Sequence, residues 1–180
     1  MHRLFVALRP PPPIRAALLS VMDGVAGARW QDDEQLHVTV RFLGEVDRHQ
    51  ADDVAAALAA VRATPPAVRI DGVGTFDTRG HVDTLWARIT PAEPLAALHR
   101  KVNQALARAG IAPDPRRYLP HVTLARFGRR ASTEGLPQWI DRHAALATRQ
   151  FTMDHVLLFE SRLDPEGARY EAVARWRLAG

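Results

Sequence analysis

The chain has no cysteine among its 180 residues. That excludes disulfides, thiolate nucleophiles and cysteine-ligated zinc sites. It fits a reducing compartment, and the cytoplasm is the expected location. Long apolar runs are also missing. The stretch from Leu4 to Leu8 stops at Arg9 and runs into Pro10, Pro11, Pro12 and Pro13. It falls far short of the roughly 20 apolar residues a membrane helix needs and is too short for the core of a signal peptide. The expectation is a soluble chain without a membrane partner. Lysine is nearly absent: Lys101 is the only one, so arginine carries the positive charge, and the net charge is +4. Arginine suits bidentate phosphate contacts. Abundant Ala and Arg also follow from genomic base composition, so the charge by itself assigns no RNA partner.

What is present suffices for a core, since 47% of the residues are hydrophobic. Arg3 to Arg9 reads as a strand. Ile14, Leu18, Val21, Met22 and Val25 then fall on one helical face that ends near Gly24 and Gly27. Leu36 to Leu43 alternates like a strand. Asp47 is placed to cap a helix with Val54, Leu58 and Val61 in its stripe. Val68 to Phe76 and Thr84 to Thr90 are two strands joined through Asp-Thr-Arg-Gly-His. Leu95, Leu98, Val102 and Leu106 form another helical stripe, closed by Gly110. Tyr118 to Phe127 is a strand, and Leu136 to Leu146 a helix. Phe151 to Ser161 and Ala168 to Leu178 are strands joined by a Leu-Asp-Pro-Glu-Gly turn. The fold class is α+β: one domain over residues 1–180, built of two pseudo-symmetric lobes. Mostly antiparallel sheets, helices outside and a central cleft complete the expectation.

The most informative feature is a repeated phrase. Leu36 opens Leu-His-Val-Thr-Val-Arg-Phe, and Pro120 opens Pro-His-Val-Thr-Leu-Ala-Arg-Phe, 84 positions later. A single His-x-Thr can arise by chance at this length; two copies in matching strand contexts are far less readily explained that way. Strand alternation puts His37, Thr39 and Arg41 on one face and Val38, Val40 and Phe42 on the other. His121 and Thr123 share a face in the second copy. An imidazole titrates near neutrality, so a pair can supply a general acid and a general base. Threonine hydroxyls and an arginine can hold the oxygens between them. A phosphodiester fits that set, and the set asks for no metal and no cofactor. His2, His49, His81, His99, His143 and His155 show no metal-ligand spacing. Asp32, Asp33 and Glu34 read as an exposed turn.

With these residues in hand, the sequence resembles the 2H phosphoesterase superfamily, in particular the RNA 2′,3′-cyclic phosphodiesterases also described as 2′-5′ RNA ligases. Leu-His-Val-Thr-Val-Arg-Phe-Leu-Gly-Glu-Val and Tyr-Leu-Pro-His-Val-Thr-Leu-Ala-Arg-Phe-Gly carry the likeness, and the opening and closing strands extend it over nearly the whole chain. The resemblance implies hydrolysis of a terminal RNA 2′,3′-cyclic phosphate to a 2′-phosphate. It implies His37 as proton donor to the 3′ oxygen, His121 as proton acceptor from water, and Thr39 and Thr123 on the non-bridging oxygens. Arg126 matches an arginine that contacts phosphate in the family. Alternation sets it on the face opposite His121, so it needs a bulge, a strand end or an edge to reach the cleft. Arg41 has the parity of a ligand or of a solvated strand arginine. Phe42 has core parity. Trp86 alternates against Leu85 and Ala87, so the cleft and a helix are both open to it. Arg116, Arg117, Arg129 and Arg130 flank the second phrase and can track an RNA backbone. The expected partners are RNA ends or nucleotides bearing a cyclic phosphate, with no obligate protein partner and a monomeric state. The rivals are 2′-5′ end joining, a small cyclic-nucleotide phosphodiesterase and a non-catalytic module that binds RNA ends.

Overall fold

The structure, a computed structural model, describes residues 1–164 and 167–180. Pro165 and Glu166 of the expected Leu-Asp-Pro-Glu-Gly turn lie outside the described residues. The described chain forms strands β1 (His2–Leu8), β2 (Ala28–Trp30), β3 (Val38–Val46), β4 (Ala67–Thr78), β5 (His81–Thr90), β6 (His121–Phe127), β7 (Phe151–Thr152), β8 (His155–Asp164) and β9 (Gly167–Arg177). Helices α1 (Pro12–Leu19), α2 (Arg48–Ala59), α3 (Glu93–Arg108) and α4 (Leu136–His143) intervene, with one 3-10 turn at Asp33–Gln35. None of these helices is long and apolar enough to cross a membrane.

The strands pair in the order β7-β4-β5-β6-β3-β1-β8-β9, with β2 beside β6. Every pairing is antiparallel. Both expected strand pairs form, β4 with β5 and β8 with β9. Each joins the sheet on the other half's side: β5 pairs with β6, the strand of the second phrase, and β8 pairs with β1, which lies beside the first phrase in β3.

Side-chain alternation divides the sheet into two environments. On β1, Leu4, Val6 and Leu8 enter the main core, whereas Phe5 and Ala7 join Phe159 in a small cluster on the other face. All four helices contribute to the main core, including Leu95, Leu98, Val102 and Leu106 of α3. Each such leucine, fully withdrawn from water, stabilises the fold by roughly 1.5–3 kcal/mol. The opposite face, left free of that core, carries the two phrases.

Local chemistry explains most element ends. Asp47 caps α2 through a reciprocal bond with Gln50. The β4–β5 loop is shorter than the sequence suggested. Arg79 and Gly80 have φ of 54° and 78°, the left-handed pair a two-residue hairpin needs. The strands therefore run on to Thr78 and His81. Helix α1 ends at Leu19, before Met22 and Val25. Those two remain buried because the segment docks elsewhere: the Val21 carbonyl accepts from Trp139 Nε1 at 3.0 Å. β2 escaped the sequence reading because three residues carry too little alternation to register.

Candidate active site

The two phrases meet where Val38 of β3 pairs with Val122 of β6. These are the same position of the two copies. In the antiparallel register about that pair, His37 falls opposite Thr123 and Thr39 opposite His121. The halves thus present their phrases to each other as related copies.

Each histidine is held in the same way. His37 Nδ1 donates to the Gln35 carbonyl at 2.6 Å, and His121 Nδ1 donates to the Leu119 carbonyl at 2.7 Å. A carbonyl can only accept, so Nδ1 carries the proton and Nε2 of the neutral ring keeps its lone pair. His37 Nε2 lies 3.2 Å from Thr39 Oγ1. The Gln35 carbonyl is itself fixed. Asp32 caps the 3-10 turn through Gln35, and Asp33 accepts from Arg9 Nη2 at 3.1 Å and Arg15 Nε at 2.8 Å. Asp33 is therefore more than an exposed turn residue, and the Arg15 hydrogen bond holds its carboxyl below the usual range.

Aromatic rings wall both imidazoles. Phe5 and Tyr170 lie 5.0 and 5.2 Å from His37 between centroids. Phe76 meets His121 edge-on at 5.0 Å, and Trp86 lies at 5.9 Å. Burial disfavours the charged ring. It pushes His37 down to about 4, against the Gln35 carbonyl, and Arg126 and His121 add to the depression. Burial and Arg126 lower His121 as well. Near neutral pH both Nε2 atoms of the free protein are bases.

Arg126 reaches the cleft through a bulge. Trp86 pairs with Thr123 but Leu85 pairs with Ala125, so Leu124 is an extra residue. Past it, Arg126 returns to the face of His121 and Thr123. Arg126, His37, Thr39, Phe5, Phe42 and Tyr170 line a cavity of about 260 Å³. Thr123 is buried beside Trp86, which faces this side of the sheet.

Bulges in β3 overturn two parity expectations. Phe5 pairs with Phe42 and Ala7 with Thr39, while Val6 pairs with Arg41. Val40 is the extra residue between them. Phe42 therefore stands beside Thr39 in the cleft rather than in the core. Arg41 turns toward the Val6 side, where it is 5% exposed and donates to the Ala112 carbonyl. It is not a solvated strand arginine, and it does not line the His37 cavity. Phe127 packs in the main core. Arg129 and Arg130 are exposed after β6, whereas Arg116 and Arg117 border a second cavity beside His121. Phe5, Phe76 and Tyr170 were not singled out in the sequence, since each comes from a strand outside the phrases.

A larger cavity, about 470 Å³, is lined by Trp30, Asp32, Glu34 and Tyr170 and by neither histidine. Arg169 borders it as well, beside the two carboxylates, whereas the phrase histidines border the smaller cavities. Among the described residues, no group of three or more His, Asp or Glu side chains is arranged to hold a metal ion.

Comparison with known proteins adds a family to this geometry. The chain is 25% identical over 176 residues to an RNA 2′,3′-cyclic phosphodiesterase of Methanocaldococcus jannaschii, covering 97% of this chain and 99% of that protein. It is 29% identical over 190 residues to a protein of the same name from Thermus thermophilus, covering 99% and 91%. The crystal structure of TT0787 of Thermus thermophilus superposes with a TM-score of 0.82 at 26% identity, covering 99% and 98% of the two chains. Escherichia coli LigT complexed with 3′-AMP has the same fold, with a TM-score of 0.79 at 22% identity, covering 99% of each chain. A family description built on the 2′-5′ RNA ligase superfamily matches residues 10–165, and the chain belongs to that superfamily.

Proposed function

We propose that the protein hydrolyses the terminal 2′,3′-cyclic phosphate of RNA to a 2′-phosphate. His37 is the proton donor and His121 the proton acceptor. One observation carries the reading: two imidazoles with matching Nδ1–carbonyl bonds flank one registered strand pair and keep Nε2 available. The relatives named as RNA 2′,3′-cyclic phosphodiesterases support the substrate.

In this mechanism His121 Nε2 takes a proton from water as the oxygen attacks phosphorus. The bond to O3′ breaks and His37 Nε2 delivers a proton to it, leaving the phosphate on O2′. Each transfer contributes about 10²–10⁴-fold. Thr39 and Thr123 donate to the non-bridging oxygens, and Arg126 balances the charge that builds on them. The low affinity of His37 for a proton in the free protein suits this sequence. The phosphodiester anion opposes the burial effect and charges the donor only when substrate is present.

Phosphorus NMR on an oligonucleotide ending in a cyclic phosphate, with EDTA present, tests the reading. The expected product is a 2′-phosphate. A 3′-phosphate would contradict the assigned leaving oxygen, and an unchanged cyclic phosphate would remove the proposal.

A further inference from the structure

Arg41 is a buried charge, 5% exposed. Its Nη2 donates to the Ala112 carbonyl, but Nε and Nη1 have no hydrogen-bond partner. Those atoms are closed to solvent, so Arg41 acts on its surroundings as a fixed positive charge rather than as a direct donor. Arg41 borders a cavity of about 280 Å³ whose lining includes Thr39, Phe42, His99, Arg116 and His121. Thr39 and Phe42 also line the His37 cavity, so the two cavities adjoin, with one of the two phrase histidines in each. Each alone lies just under the roughly 300–1,000 Å³ of ordinary ligand sites. A ligand that fills both therefore has two parts.

The chemistry of the second part follows from the lining. Arg41, Arg116 and Arg117 face a single carboxylate, Asp114. Asp114 is taken up by Arg116 at 2.6 Å, and that hydrogen bond holds its carboxyl down at about 2. The local balance stays positive. His99 stacks on Tyr118 at 4.2 Å between centroids, and burial lowers its proton affinity, so it adds a flat neutral wall. The Arg116 guanidinium lies 6.0 Å from the Phe42 ring centre. Flat rings beside guanidinium groups suit an unpaired base and its phosphate.

We propose that this cavity is a subsite for the second nucleotide from the reacting RNA end, with Arg116 on the phosphodiester that joins it and the buried Arg41 charge behind it. The inference rests on the hydrolysis reading for its choice of RNA. It makes the protein a reader of oligonucleotide ends rather than of mononucleotides.

Binding is the test, because it does not depend on turnover. Calorimetry compares a dinucleotide with a mononucleotide, each ending in a 2′-phosphate, and the ratio of their affinities is the readout. The native protein is expected to favour the dinucleotide by tenfold or more, the scale of one charge-assisted hydrogen bond. Arg116→Gln, an exposed change, should collapse that ratio toward one, and Arg41→Gln, which removes the charge behind the site, should lower it. Equal affinities in the native protein overturn the subsite. So does a dinucleotide advantage that survives Arg116→Gln. An intact, Arg116-dependent advantage without any cyclic phosphate opening would uphold the subsite and overturn the hydrolysis reading instead.

Discussion

Gly74 of β4 lies directly under the Trp86 ring of β5. A Cβ at Gly74 would come within 2.4 Å of the indole Cζ2, closer than any ordinary contact. Trp86 is 8% exposed and packs 5.1 Å from Phe76 and 5.9 Å from His121 between ring centres. Gly74→Ala must therefore push the indole toward the imidazole it supports. The overpacking should cost about 1–3 kcal/mol in urea unfolding. A small displacement of His121 should also lower kcat by roughly ten- to a hundredfold. A variant with native kcat would show that Trp86 fills space without positioning His121.

His37→Ala and His121→Ala are expected to lower kcat on a cyclic-phosphate end by about 10²–10⁴-fold each. The double variant should be little worse than either single one, because the two groups act in one step. Steady-state kinetics on all three proteins checks this. Multiplying losses would mean that the histidines work independently.

The His and Thr residues of the two phrases stood out in the sequence because their spacing is local. Thr39 lies two residues from His37, and alternation survives across so short a step. It fails at the next one. Nothing in Val40-Arg41-Phe42 marks Val40 as the extra residue, yet that bulge brings Phe42 to the His37 cavity and keeps Arg41 out of that cavity. The bulge at Leu124 does the reverse for Arg126. Bulges are set by how neighbouring strands pair, and that information is not carried by any single strand. The placement of each strand pair beside the other half's phrase was hidden for the same reason. So were Phe5, Phe76 and Tyr170, which only tertiary pairing brings to the histidines. The fold class and helix stripes were visible because periodicity over ten or more residues reports burial directly.

The depressed His37 fixes the sign of a pH effect. Its folded value, about 4, lies below the unfolded value near 6.5. Between these limits the unfolded chain binds the extra proton, so stability falls as pH drops from about 6.5 to 4. His37→Asn should flatten that part of a urea-stability profile. An unchanged slope would mean that the ring is not held neutral. Activity should show the opposite influence of substrate. The bound phosphate favours the charged donor, so the alkaline limb of kcat should lie at higher pH than that of kcat/KM. Coincident limbs would argue against a donor charged by its own substrate.

Asp33 links the same ring to the rest of the fold. It accepts from Arg9 at the end of β1 and Arg15 of α1, and it sits in the turn whose Gln35 carbonyl fixes His37 Nδ1. Asp33→Asn keeps the size but weakens both arginine contacts. The pairs are partly exposed, with Asp33 42% and Arg15 14% accessible, so the stability loss should stay near 1 kcal/mol. The catalytic loss should be larger than that figure alone implies. A loosened Gln35 carbonyl lets the imidazole rotate and adopt the other tautomer, which removes Nε2 from its role. The expected pattern is a fall in kcat with KM little changed, and an Arg15→Gln variant should reproduce it. A rise in KM alone would assign Asp33 to substrate binding through the surface charge rather than to the orientation of His37.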